Sequence, residues 1–277
     1  MKKILFTMIL LVLAVALVAC GGNDNESKGN ADNDKSVNLG GTAGPYSDML
    51  KQAIQPALEA KGYEVKIHEF SDYIQPNVAL ESGDIDANLF QHSIYLENFS
   101  KENDMDLTGL ITVPTAPMGI YSNKYESIDD IKDGATITIP NDPVNAARTF
   151  LILQDHGLIE LNPDAEPLTV SEKDIQKNVK NLVFQPIEAG QLPRSVDSAD
   201  LAAVPGNFAL AAEMDLLDAL VLENMPDQYR NLVAVTTANK DSQLAKDLVE
   251  IVESREFEEL IDAEFEGFGK PEWMKNR

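Results

Sequence analysis

From residue 37 onward the apolar positions switch repeatedly between alternation and three-four spacing. Val37-Asn38-Leu39, followed by Gly40-Gly41-Thr42-Ala43-Gly44-Pro45, predicts a short strand opening into a glycine-rich loop. Met49, Leu50, Ala53, Ile54, Ala57 and Leu58 then form one helical stripe, which Lys61-Gly62 should end. Tyr63, Val65 and Ile67 alternate with Glu64, Lys66 and His68 as a strand with one buried face. A strand, a helix and a strand in this order predict a parallel pair with its loops at the carboxyl ends of the strands. The same pattern predicts helices over 75–81, 93–102 and 143–156, and strands near 85–90, 107–113, 118–122, 135–140, 181–184, 201–204, 219–222 and 232–237. Ser127-Ile128-Asp129-Asp130 reads as a capping box on a short helix, further helices should follow Gly206 and Asp241, and the chain closes on amphipathic helix. Alternation on this scale means an α/β fold.

The first 36 residues follow a different rule. Two lysines precede an apolar run from Ile4 to Ala19, broken only by Thr7, and the run stops at Leu17-Val18-Ala19-Cys20-Gly21. That is the pattern of an export signal; a membrane-spanning helix would need about 20 apolar residues and flanking anchors. The Leu-x-Ala-Cys ending resembles the bacterial lipobox, which implies cleavage before Cys20 and lipid on its sulfur and amino nitrogen. Cys20 is the chain's single cysteine, so no internal disulfide is expected. Several acyl chains hold a protein stably at a bilayer, where one holds it only marginally. Gly21 to Ser36 contains one alanine among polar residues and reads as a tether, since it cannot bury enough surface to offset its ordering entropy. Asn30, Asp32 and Asp34 have the spacing of a calcium loop, but Lys35 stands where such a loop needs glycine.

With 44% hydrophobic residues, the remainder of the 277-residue chain can build one large α/β body or two smaller lobes. Formal charge is −24, and without Lys2 and Lys3 the same count gives −26, which argues against nucleic acid and anionic lipid as partners of the folded part. The expected organisation is a signal over 1–19, a lipidated tether over 20–36, a first lobe over 37–123, a second over 124–224, and a return to the first over 225–277. Hinges are expected near 121–125 and 222–229, where two lobes could close on a ligand; one continuous doubly wound domain is the alternative.

Three segments concentrate polar and aromatic residues at predicted strand ends: Phe70 to Asn77, Asp84 to Tyr95, and Ile139 to Arg148. In the third, Pro143 suits a first helical turn and Asn141 or Asp142 can cap it, so the positive end of the helix should face a crevice and attract an anion. Asn145 and Arg148, three apart, share one helix face, and the guanidinium there can hold a ligand carboxylate bidentately or be a surface group paired with one of the chain's 46 acids. Phe90, His92 and Tyr95, with Tyr73 nearby, offer aromatic walls with polar tips, either for an amphipathic ligand or as core. His68 falls on a strand's polar face and His156 at a helix C-terminus. No nucleophile elbow, HExxH, phosphate loop or cysteine–histidine pair is present, so no enzyme activity, no metal and no cofactor is expected.

Taken together, the signal with its cysteine, Phe70-Ser-Asp-Tyr73 with Pro76-Asn77, Asp84-Ile-Asp-Ala-Asn-Leu-Phe-Gln-His92, Pro140-Asn-Asp-Pro-Val-Asn-Ala-Ala-Arg148 and Gln191-Leu-Pro-Arg194 resemble the NlpA family of lipoproteins. The resemblance spans about residues 37–275. It implies a two-lobed, type II periplasmic-binding-protein clamshell on the extracytoplasmic face of the cell membrane, capturing a small amino acid, methionine first, for an ABC permease and its ATPase. It also implies that Arg148 grips the ligand's α-carboxylate with help from Asn145, that Tyr73, Phe90, His92 and Tyr95 wall the side chain and amino group, and that Asn231 reaches the cleft. One position departs: Pro205 stands where methionine binders carry an asparagine, and proline supplies neither a side-chain donor nor an N–H. Asn207 is the candidate substitute. A methionine-containing dipeptide, another amino acid, or an adhesin or chaperone role on the same fold are the alternatives.

Overall fold

Val37 and Leu39 turn inward from β1 (Ser36–Thr42), which pairs in parallel with β2 (Glu64–Phe70) on one side and β3 (Ala87–His92) on the other. The computed structural model describes residues 35–277, so the expected signal, Cys20 and all but the last two residues of the expected tether lie outside the described residues. Ser36 already belongs to β1. The helix predicted between β1 and β2 comprises α1 (Pro45–Met49), a π-helical stretch over Leu50–Ile54, and α2 (Gln55–Ala60). Pro56 explains the widened turn: it has no N–H to offer and its ring crowds the carbonyl four residues back. Gly62, at φ 86°, closes the run. After β2 come α3 (Gln75–Ser82), β3, α4 (Ser93–Glu102) and β4 (Leu107–Thr112).

A second set of elements follows: β5 (Gly119–Tyr121), β6 (Thr136–Pro140), α5 (Pro143–Asp155), the ribbon of β7 (Ile159–Leu161) and β8 (Ile175–Asn178), β9 (Val183–Ile187), α6 (Leu192–Ser195), β10 (Leu201–Val204), α7 (Gly206–Ala211) and β11 (Val221–Leu222). The β7–β8 ribbon has no counterpart in the sequence-based expectation, because its strands are too short to show a period and carry Glu160, Gln176 and Lys177 outward. The chain then supplies β12 (Asn231–Thr236), α8 (Gln243–Val252), α9 (Arg255–Glu264) and α10 (Glu272–Lys275).

The strands form two five-stranded sheets, ordered β2-β1-β3-β12-β4 and β11-β5-β10-β6-β9. β12 enters the first sheet antiparallel to both β3 and β4, so the late part of the chain completes the early sheet. Leu39, Leu50, Ile54, Leu89, Val233 and Leu248 pack in the first core; Ile120, Ile137, Phe150, Leu153 and Leu201 pack in the second. Each such side chain contributes about 1.5–3 kcal/mol on full burial. β5 pairs with β10 and β11, so the chain leaves the first sheet between Thr112 and Gly119. It returns between Leu222 and Asn231. The two crossing segments run beside each other, joined by Glu223 N–H to Met118 O at 2.9 Å and Asn231 N–H to Thr115 Oγ1 at 2.8 Å.

Candidate ligand-binding site

The carboxyl ends of β2 and β3, the first turn of α5, the start of α7 and the start of β12 converge on one cavity. All eight residues singled out from the sequence, Tyr73, Phe90, His92, Tyr95, Asn145, Arg148, Asn207 and Asn231, line it. They come from both sheets' elements, so the cavity lies between the two halves of the fold.

A chain of hydrogen bonds with fixed polarity crosses this boundary. The backbone N–H of Tyr95 donates to His92 Nδ1 at 3.2 Å, so the neutral ring carries its proton on Nε2, which faces Asn145 Oδ1 at 3.2 Å. Asn145 Nδ2 in turn donates to the carboxylate of Asp142 at 3.1–3.2 Å. Burial, and then the nearby positive charge of Arg148, push the His92 pKa down to about 3, against the raising effect of Asn145. The ring is therefore neutral at physiological pH. Asp142 caps α5 by accepting the Asn145 N–H at 2.8 Å, and its burial raises its pKa. Of the two caps the sequence offers, Asp142 is the one used, and its carboxylate sits at the positive end of α5.

Arg148 is buried on the same face of α5. Its Nε donates to Glu223 Oε1 at 2.5 Å, its Nη2 donates to Glu223 Oε2, and the backbone N–H of Met118 donates to that same Oε2 at 3.1 Å. The side chains of Arg148 and Glu223 are 6% and 4% exposed, so this is a buried pair and not the surface pairing the composition allowed. Burial pulls the Arg148 pKa down, and the charge and hydrogen bonds of Glu223 more than offset it, leaving it raised. The Tyr229 ring flanks the guanidinium, with its centroid 5.2 Å from Arg148 Cζ. Nη1 of Arg148 makes no hydrogen bond within the described residues and is not among their buried, unpaired polar atoms.

The opposite wall is aromatic. Tyr73 packs tilted on Phe90 and Phe208 at 5.9 and 4.9 Å and edge-on to Tyr95 at 5.8 Å. Tyr73 Oη donates to Asn207 Oδ1 at 2.6 Å, a second bond between the halves. Asn207 Nδ2 lies 3.5 Å from Thr42 Oγ1, so one end of this carboxamide is firmly engaged and the other only loosely. Pro205 precedes α7 and lines the cavity, as does Gly206. A Cβ on Gly206 would stand 2.4 Å from the Pro117 carbonyl oxygen, which reserves the position for glycine. Asn231 donates from Nδ2 to Phe90 O at 2.8 Å, which turns its Oδ1 free of that bond.

Sequence reasoning missed Tyr46, Gln91, Thr115 and Ala116 in the wall and Glu223 behind it. Tyr46 lies in the first turn of α1, just after the glycine-rich loop, and Glu223 lies 75 residues from its partner with no local signal. Part of the quoted motifs proves to be scaffold: Asn77, Asn88 and Gln91 form a buried amide cluster, with Gln91 Nε2 donating to Asn77 Oδ1 at 2.6 Å and Asn77 Nδ2 to Gln91 Oε1 at 2.8 Å. His68 bonds Asn38 Oδ1 at the surface and His156 follows the last turn of α5. Among the described residues, no group of three or more His, Cys, Asp or Glu side chains is arranged to hold a metal ion.

Comparison with known proteins places this geometry in context. The family model described as NlpA lipoprotein matches residues 37–273. The methionine-binding lipoprotein MetQ of Bacillus subtilis is 34% identical over 272 residues, covering 96% of this chain and 97% of that protein. The D-methionine-binding lipoprotein MetQ of Escherichia coli is 34% identical over 266 residues, covering 95% of each. Among solved structures, a nutrient binding protein from Burkholderia cenocepacia bound to methionine superposes with a TM-score of 0.79 at 38% identity, covering 83% of this chain and 97% of that one. The two-sheet α/β body is the two-lobed substrate-binding fold of these proteins.

Proposed function

Because the chain belongs to the NlpA lipoprotein family, we propose that it captures a small amino acid, methionine first, and delivers it to the permease and ATPase of an ABC importer. The observation that carries this reading is the cavity's division of labour: buried polar groups on α5 and β12 face an aromatic wall from β3, α4 and the loop after β2. An amino acid is such a molecule, charged at one end and apolar at the other. In this reading Arg148 and Asn145 receive the α-carboxylate, Tyr73, Phe90 and Tyr95 enclose the thioether side chain, and Asn231, Asn207 and the neutral His92 orient what lies between. No bond is made or broken, and the protein is a carrier and not an enzyme, as the relatives named substrate-binding proteins are.

The two halves are the lobes of the clamshell, hinged on the paired crossing segments 113–118 and 223–230. The protein is held by lipid on Cys20, after removal of a signal over 1–19 and at the end of a short tether, on the extracytoplasmic face of the cell membrane. Among the described residues no helix is long and apolar enough to cross a membrane, which is compatible with an anchor of this kind.

The test is a thermal-shift screen of the full chain in detergent, stripped of carried-over ligand by unfolding and refolding, against L- and D-amino acids and methionyl dipeptides. A ligand at 100 times its Kd should add about 2.7 kcal/mol to stability. The largest shift with methionine supports the reading, a larger one with a dipeptide changes the cargo, and no shift with any of them overturns it.

A further inference from the structure

Arg148 has two edges on which a carboxylate can sit bidentately: the Nε–Nη2 side and the Nη1–Nη2 end. Glu223 occupies the first, through Nε and Nη2. What remains is the end, on which Nη1 makes no hydrogen bond among the described residues, and Arg148 lines the cavity. Glu223 is itself fixed on both sides of its backbone position: its carboxylate accepts from Met118 N–H and its own N–H donates to Met118 O at 2.9 Å. The pair is thus a rigid, charge-balanced unit. The other charges facing it are Arg230, paired with Asp227 at 3.8 Å and donating to Gly269 O, and Asp142, turned to Asn145. No uncompensated positive charge is left among these groups.

We propose that Glu223 is a specificity-determining residue that sets the charge of the acceptable ligand: it cancels Arg148, leaves only the guanidinium end for binding, and so admits zwitterions while rejecting carboxylates that bring no ammonium group. A zwitterion adds as much positive as negative charge to the buried site. A simple carboxylate adds a second anion against Glu223 with nothing to offset it, and burying an unmatched charge beside a like one is strongly unfavourable. Discrimination here comes from an unfavourable term built against the wrong ligand, as well as from contacts to the right one.

This inference rests on the amino-acid reading above, and one pair of probes separates the two: methionine and 4-(methylthio)butanoate, which is methionine without its amino group. Isothermal titration of the full wild-type chain should show the butanoate binding at least about 100-fold more weakly. In Glu223→Gln, which removes the charge at nearly constant shape, that ratio should narrow at least about tenfold through a gain for the butanoate. Glu223→Asp, which keeps the charge, should retain most of the discrimination. A butanoate affinity within threefold of methionine in the wild type overturns the proposal even if neither variant folds. Equal losses for both ligands in Glu223→Gln also overturn it, since a merely structural residue behaves so. Binding of neither probe by the wild type overturns the methionine reading and this proposal with it.

Discussion

His92 and Asn145 meet at 3.2 Å, although one ends a strand of the first sheet and the other lies in the first turn of a helix beside the second. With Tyr95 N–H fixed on Nδ1, the bond has one direction only, from imidazole to carboxamide. A proton added to His92 would have to enter at Nδ1, against a donor, in a buried site already facing Arg148. The bond between the halves is therefore sensitive to acid.

The sign follows from the depressed pKa. Between about 3 and the ordinary value of 6.5, the unfolded chain binds a proton at His92 that the folded chain does not. Stability should be flat above pH 6.5 and fall below it, with a slope from this residue of about 1.4 kcal/mol per pH unit at most. Asp142 and Glu188, whose pKa values are raised by burial, act in the opposite sense. The difference between wild type and His92→Gln in urea melts from pH 7.5 to 4.5 isolates the histidine. Equal slopes in the two proteins would refute the assignment.

Arg148→Ala should cost ligand binding about 2–5 kcal/mol. It also strands Glu223 in a site where its side chain is 4% exposed, so stability should fall by about 3–5 kcal/mol. The double variant Arg148→Ala, Glu223→Ala should recover most of that stability and none of the binding. Titration calorimetry and denaturant unfolding on the three proteins separate the two effects.

Tyr73→Phe keeps the ring against Phe90 and Phe208 and deletes only the bond to Asn207. We expect about 0.5–1.5 kcal/mol weaker ligand binding with an unchanged preference among ligands. An affinity loss larger than about 3 kcal/mol in competition titrations would mean that the hydroxyl touches the ligand itself.

Asn77→Ala should behave in the opposite way. It removes the donor to Gln91 Oε1 and the acceptor shared by Gln91 and Asn88, which keep only their own 3.1 Å bond and the Pro76 carbonyl, and should lower stability by about 1–3 kcal/mol. Thermal melting should reveal that loss, while ligand affinity in the folded protein stays within threefold of wild type.

What the sequence disclosed, it disclosed through local patterns. Asp142, Pro143, Asn145 and Arg148 fall within seven residues, and capping rules plus helical spacing place their side chains relative to one another. Phe90, His92 and Tyr95 are likewise one strand end and one helical turn. The misses are of two kinds. Glu223 finds Arg148 only through the sheet topology, and no spacing rule links positions so far apart. Pro56 reshapes a helix from α to π without interrupting its apolar stripe, so the periodicity survives while the hydrogen bonding changes. Asn77 and Asn88 show another effect, in which polar residues of a motif beside a cleft are buried and bonded to each other.

β12 also fixes the order in which this molecule can mature. It fills the gap between β3 and β4, so a polypeptide growing from its amino end holds an unfinished first sheet until residue 236 has emerged, by which time the second sheet's strands have all been made. The first sheet is therefore the last to be completed, and the two faces of the cleft can come into register only after the second sheet's strands exist.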